Sequence, residues 1–262
     1  MYVIGELING MFTNVKEAIQ KKEGKVIQDL AQAQGKAGAS ALDVNVGPAT
    51  RDGVGGLLWL VENIRKVSDL PVAIDNAKWD VIQEVVPQVP GAKIINSSKA
   101  DEDLLDKYVP LAAQNNASLI TLTIDQGGVP NDVDRRVEMA ATILTKCAEH
   151  GLDVDRLFID PIVLPVNVAG PQAMTVLRSL EQMRMLHDPA PHFVVGLSNL
   201  SQNCANRSLI NRTYLAMAKG AGLDAAILDP LDTDLMDAAI TAGLLCGEAI
   251  YCDSFLEAAR SN

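Results

Sequence analysis

The sequence predicts a single (β/α)8 barrel, and three observations carry that expectation. Short apolar runs recur eight times at near-regular spacing, and segments with helical periodicity lie between them. No composition break or low-complexity linker divides the chain, so one domain over 1–262 is expected. A doubly wound open sheet is the alternative. It usually has fewer strands and often a glycine-rich first turn, whereas the first connection here, "NGMFTN", lacks GxGxxG.

In chain order the expected strands are YVIGELIN (2–9), ALDVNVG (41–47), PVAIDN (71–76), AKIINSS (92–98), SLITLTI (118–124), LFIDPIV (157–163), HFVVGLSN (192–199) and DAAILDP (224–230). Each is continuous rather than alternating, as parallel strands covered on both faces require. In GLLWLVENIRKV the apolar residues Leu57, Leu58, Val61 and Ile64 share one helical face. Trp79, Ile82, Val85 and Val86 repeat the pattern, and Pro87 is expected to end that helix. Segments 135–148, 172–186 and 232–246 are likewise helical, being rich in Ala, Leu, Met and Glu.

The 262 residues are 48% hydrophobic and 21% charged, an ordinary balance for a globular chain with a sizeable core. A net charge of −11 argues against nucleic acid or an anionic membrane as the main partner. The four cysteines (147, 204, 246, 252) make no CxxC pair and no cluster with His at zinc spacing, so reduced thiols and no resident metal are expected. Cys204 in particular reads as a small buried hydrophobe. The chain opens directly on a strand with no signal or spanning segment, and a cytoplasmic location is expected.

In a barrel of this kind, function belongs at the carboxyl ends of the strands. Nearly every run ends there in an acid, amide or hydroxyl: Glu6 and Asn9, Asp43 and Asn45, Asp75 and Asn76, Asn96 with Ser97 and Ser98, Thr123 and Asp125, Asp160, Ser198 and Asn199, and Asp229. Any one of them could simply cap the next helix or make an Asx-turn. Capping does not explain polar residues still inside an apolar run, namely Asp43, Asp75, Asn96 and Asp160. Those need partners, and a polar ligand can supply them. All three histidines (150, 187, 192) fall on the opposite face, and no lysine is expected at a strand end. Arg207 and Arg212 follow the seventh run, where they could meet an anionic tail or equally be solvated helix charges. A carboxylate beside amides suits a flat heterocycle with an N–C–N edge, because an ionised Asp accepts two N–H bonds and an Asn both donates and accepts.

The motifs IGELING, ALDVNVGP, IDN, INSS, IDPIVLP and GLSNLSQNCANR, taken in order, closely resemble those of the methyltetrahydrofolate:corrinoid protein methyltransferases. These belong to the pterin-binding barrels, as does dihydropteroate synthase. The resemblance implies that Asp75, Asn96 and Asp160 bond the pterin edge and that Asn199 is the catalytic residue, close to the methyl-bearing ring nitrogen. It implies that Gly196, Ser198, Gln202 and Arg207 complete the methyltetrahydrofolate site, with a less defined role for Asp43 and Asn45. The methyl acceptor it implies is the Co(I) of a corrinoid (cobalamin) carried by a partner protein, with no protein-bound metal. It also implies a homodimer.

That corrinoid protein could be the iron–sulfur protein of acetyl-CoA synthesis or one from a demethylase system. Dihydropteroate synthase itself is disfavoured, since Ser198-Asn199-Leu200 stands where that enzyme carries a basic pair. A folate-binding module without catalysis is the reading from another functional class.

Overall fold

A computed structural model describes residues 1–260. The eight strands close into a parallel barrel in sequence order, each pairing with its neighbours and the eighth with the first. The elements run β1 (Tyr2–Asn9), α1 (Thr13–Lys21), α2 (Gly24–Lys36), β2 (Ala41–Asn45), α3 (Gly53–Arg65), β3 (Val72–Asp75), α4 (Trp79–Val85), β4 (Lys93–Lys99) and α5 (Glu102–Gln114). Then come β5 (Ser118–Leu122), α6 (Val133–His150), β6 (Leu157–Asp160), α7 (Val166–Met183), β7 (His192–Gly196), α8 (Arg207–Gly220), β8 (Ala225–Leu228), α9 (Thr233–Leu245) and α10 (Phe255–Arg260). No helix among the described residues is long and apolar enough to cross a membrane.

All eight expected strands form, most of them shorter than their apolar runs. The runs continue past the ladder into the loops that roof the barrel mouth: β7 stops at Gly196, and Leu197–Asn199 turn into a 3-10 helix. Pro87 ends α4 as expected, and Val86–Gln88 tighten into a 3-10 turn. The helix expected over 172–186 instead starts at Val166. It kinks at Ala169, whose φ of −131° and ψ of 43° are not helical, just ahead of Pro171. Two helices rather than one join β1 to β2, separated at Lys22 in the left-handed region. One expectation fails outright: β4 runs one residue beyond its apolar run, so Lys99 does stand at a strand end, with its side chain exposed.

Strand parity divides the core in two. Outward residues such as Ile8, Leu42, Val44, Ile74, Ile95 and Leu119 pack under the helices. Inward residues Ile4, Ala41, Ala73, Ile94, Ile120, Phe158, Val194 and Ala225 fill the barrel as one cluster, a residue from every strand. Toward the amino-terminal end Phe158 meets Tyr2 at 5.7 Å and stacks on His192 at 4.8 Å. Two residues farther along their strands, Glu6, Asp43, Asp75, Asn96, Asp160 and Gly196 come to the mouth.

Two glycines let the top of β1 form. Its pairing with β2 shifts between Gly5 and Ile8, so that one extra residue bulges out of the ladder. The Leu7 N–H turns instead to the Oε1 of Gln34 on α2, at 3.1 Å, and Gln34 is wholly buried. A side chain on Gly5 would overlap that amide. Gly10 donates its N–H to the Asn45 carbonyl at 2.7 Å, and a Cβ there would overlap the Val46 carbonyl. Because that obstacle is backbone, Gly10→Ala is expected to destabilise the protein by about 2–3 kcal/mol, read as a lowered urea midpoint at unchanged m-value.

Candidate active site

At the mouth the acids are held by amides from other strands. Asn96 Nδ2 donates to Asp43 Oδ1 at 2.9 Å, reaching from β4 to β2 across β3, which presents the small Ala73 beside Asp43. Asn45 Nδ2 donates to Asp75 Oδ2 at 2.6 Å, and its own Oδ1 accepts from the Gly47 N–H at 2.5 Å. The two pairs interlock over β2, β3 and β4. Burial and the neighbouring Asp75 charge push the Asp43 carboxyl well above the ordinary carboxylate range, against the Asn96 bond. Burial likewise raises Asp75, with Asn45 opposing.

Asp160 ends β6 and is buried. Its Oδ1 accepts from the Ile162 N–H at 2.7 Å, and the Gly196 N–H also bonds it. Burial outweighs those bonds and lifts its pKa to about 7, with the Arg136 charge pulling the other way. Next to it the strand-seven loop delivers Asn199. A Cβ on Gly196 would lie 2.8 Å from Asn199 Nδ2, so glycine lets this amide fold back over the strand end. Asp160, Gly196 and Asn199 therefore form one corner, graded from the buried acid to the exposed amide.

Ser198 faces a different partner. Its hydroxyl donates to Glu6 Oε1 at 2.6 Å, across β8. Arg207 braces this loop: Nη2 donates to the Ser198 carbonyl and Nε to Ser201 Oγ, each at 3.2 Å. Gln202 lies farther out, exposed, its backbone N–H donating to the Asn199 carbonyl at 3.3 Å. Of the residues singled out in the sequence, Asp75, Asn96, Asp160, Gly196, Ser198 and Asn199 thus share one mouth, with Arg207 behind the loop and Gln202 at its edge.

One expectation is corrected, and three open alternatives resolve to the structural reading. Cys204 is half-buried in the loop rather than a core residue, although all four cysteines are free thiols. Arg212 is taken up by an ion pair with Asp234 on α9. Asp125 and Asp229 turn out to be turn-formers, accepting from the Gly127 and Leu231 N–H groups at 2.8 Å. Among the described residues, the cluster with metal-like spacing is Asp106, Glu149 and His150, on α5 and α6, and Lys146 already bonds Asp106 at 2.9 Å.

Arg136 is the structural residue that the sequence reading passed over. Wholly buried on α6, it donates through Nε to the Pro161 carbonyl at 2.9 Å and through Nη2 to Gln172 at 3.1 Å, while Nη1 has no partner. Its signal was periodicity, because position 136 falls on the same α6 face as the buried Met139, Ala140 and Ile143.

The mouth of this parallel barrel thus pairs buried acids with amides, a set that can both accept and donate hydrogen bonds. The chain belongs to the pterin-binding enzyme family, whose profile, described as pterin binding enzyme, matches residues 12–229. The methylcorrinoid:tetrahydrofolate methyltransferase of Eubacterium limosum is 29% identical over 262 residues, covering 99% of this chain and 96% of that protein. The methionine synthase of Mycobacterium leprae is 28% identical over 239 residues, covering 86% of this chain but only 20% of that longer protein. A dihydropteroate synthase from Coxiella burnetii, in complex with pteroic acid, superposes with a TM-score of 0.70 over 95% of this chain and 94% of its own, at 14% identity. That last likeness is one of fold.

Replacing Arg136 by Met removes the charge that favours ionised Asp160. The Asp160 carboxyl is expected to titrate above about 7 in Arg136→Met, followed by carboxyl carbon chemical shifts.

Proposed function

We propose that the chain moves a methyl group between 5-methyltetrahydrofolate and the Co(I) centre of a corrinoid carried by a separate protein. The observation that carries this reading is the Asn199 amide, folded over Gly196 at the open rim beside buried Asp160. The near full-length similarity to the Eubacterium limosum enzyme supports it.

In this reading Asp75, Asn96 and Asp160 receive the pterin edge. A ring N–H and an exocyclic amino group give a carboxylate two donors, which offsets the burial that raises the pKa of Asp75 and Asp160. Asn96 brings Asp43 with it, and Asn45 brings Asp75. The ring then lies with its methyl-bearing nitrogen under Asn199, within the loop of Gly196, Ser198 and Gln202 that Arg207 braces.

A methyl group on a tertiary amine leaves readily only if the nitrogen gains positive charge or a proton. An amide has no useful acidity, so Asn199 is not the acid. Its oxygen can accept the N–H that forms as the methyl departs, an interaction stronger in the transition state than in the bound substrate. The cobalt nucleophile belongs to the partner, so the mouth has to be reachable. Its rim carries exposed apolar residues on two loops and a helix start, Met11 and Phe12 after β1, Leu231 after β8 and Leu209 in the first turn of α8, a surface suited to a docking protein. Four free thiols fit a reducing, cytoplasmic setting, and the active form in this reading is a homodimer.

Mixing the protein with methyltetrahydrofolate and a reduced corrinoid, and following loss of the Co(I) spectrum, tests the reading. Turnover is expected. Ligand binding without that decay would leave a folate carrier instead. Asn199→Ala is expected to lower kcat on the order of 10²-fold with little change in the dissociation constant for methyltetrahydrofolate. Equal losses in both would contradict the role given to Asn199.

A further inference from the structure

The methyl-transfer reading leaves a proton unassigned. When the N–CH3 bond breaks toward cobalt, its electron pair stays on nitrogen and must take up a proton. Asn199 cannot supply one, and in the methyl-transfer reading the acids on the β2–β6 side are turned to the pterin edge. Asp43 and Asp75 are bonded by Asn96 and Asn45, and Asp160 by two backbone N–H groups.

Glu6 stands on the other side, next to the loop that carries Asn199. The β1 bulge and the Gln34 bond to the Leu7 N–H fix the backbone at this point, with room made by Gly5. Its Oε1 is 2.6 Å from Ser198 Oγ, and Ser198 immediately precedes Asn199 in the 3-10 turn. Once Glu6 is protonated, that hydroxyl can reverse its bond, accepting from the carboxyl on one side and donating to a nitrogen on the other.

We propose that Glu6 is the proton reservoir of the reaction, exchanging its proton with the methyl-bearing nitrogen through the Ser198 hydroxyl. This rests on the methyl-transfer reading above. In the direction away from folate, the N–CH3 bond breaks and the Co–CH3 bond forms with the electron pair of Co(I). The nitrogen pair takes the Ser198 proton, Ser198 takes the proton of Glu6, and Glu6 is left as carboxylate until solvent reprotonates it. In reverse, the N–H proton returns to ionised Glu6 as the methyl group arrives. Glu6 acts through Ser198 and is in that sense a positioning residue for the proton.

The surroundings suit a proton store. Burial and the Asp229 charge raise the Glu6 pKa, while the Ser198 bond and the Arg207 charge lower it, with a net upward shift. The charged or titratable groups facing it are Asp43 on β2, Asp229 after β8 and Arg207 on α8. Two acids and one cation, in a largely buried setting, favour the protonated form.

Single-turnover methyl transfer, run in both directions with methyltetrahydrofolate or tetrahydrofolate and free cobalamin, tests this against pH. For the wild type, transfer to Co(I) is expected to slow as pH rises through the Glu6 pKa, and transfer back to folate to quicken over the same interval. Glu6→Gln, nearly isosteric, is expected to lose that limb in both directions. Its rate should fall on the order of 10²-fold, with methyltetrahydrofolate binding unchanged. Ser198→Ala should lose the limb as well, and Glu6→Asp should keep a limb displaced in pH. A Glu6→Gln protein that keeps the wild-type limb overturns the proposal, as does one whose binding and rate fall in step. A wild-type protein that binds folate but never methylates Co(I) overturns both this proposal and the methyl-transfer reading, which separates the two failures.

Discussion

Four carboxyl groups in one barrel mouth set the terms for everything around them. Glu6, Asp43, Asp75 and Asp160 lie one strand-repeat beyond the inward apolar cluster, and burial raises the pKa of each. The charges of Asp75 and Glu6 add to the burial of Asp43, so these three are not readily ionised together. The amides of Asn45 and Asn96 and the N–H groups of Ile162 and Gly196 relieve part of that cost. What remains is a site short of N–H donors, which a ring edge carrying them would satisfy. In the proposed reading, the pterin fills this deficit.

The scaffold is arranged to hold that ring of acids in place. Glycine at position 5 admits Gln34, which satisfies the N–H freed by the β1 bulge and so sets the height of Glu6. Glycine at 196 admits the Asn199 amide over the end of β7. Arg136, from the helix behind β6, grips the Pro161 carbonyl and biases Asp160 electrostatically without touching the mouth. Gln34 and Arg136 lie behind the mouth, yet each helps decide where an atom facing it stands.

Much of this was legible in the sequence because parity does two jobs. Eight continuous apolar runs announced the barrel. Asp43, Asp75, Asn96 and Asp160 stood out because they interrupt those runs where a side chain must face inward. The same logic applies to Glu6, whose importance came into view only with the Ser198 contact, 192 positions along the chain. Arg136 was hidden in a polar-looking helix start, although its spacing to the buried stripe of α6 would have revealed it. Lys99 was missed because strand length is set by ladder hydrogen bonds rather than by hydrophobicity, and β4 keeps pairing as far as Leu122. The partners of Arg207 and Arg212 were beyond sequence reasoning, since only folding puts Ser198 within reach of the first and Asp234 within reach of the second.

The claim on which the account turns is that the acids facing the pterin edge, Asp160 foremost, hold protons in the empty mouth and give them up to a ligand that brings N–H donors, while Glu6 keeps its own. Titration calorimetry of tetrahydrofolate into the protein near neutral pH, repeated in buffers of different ionisation enthalpy, counts those protons directly. Net proton release is expected, shrinking as the pH is raised above the Asp160 value of about 7. Binding without proton exchange, or with net uptake, would mean that the acids are already ionised in the free protein and that the account is wrong.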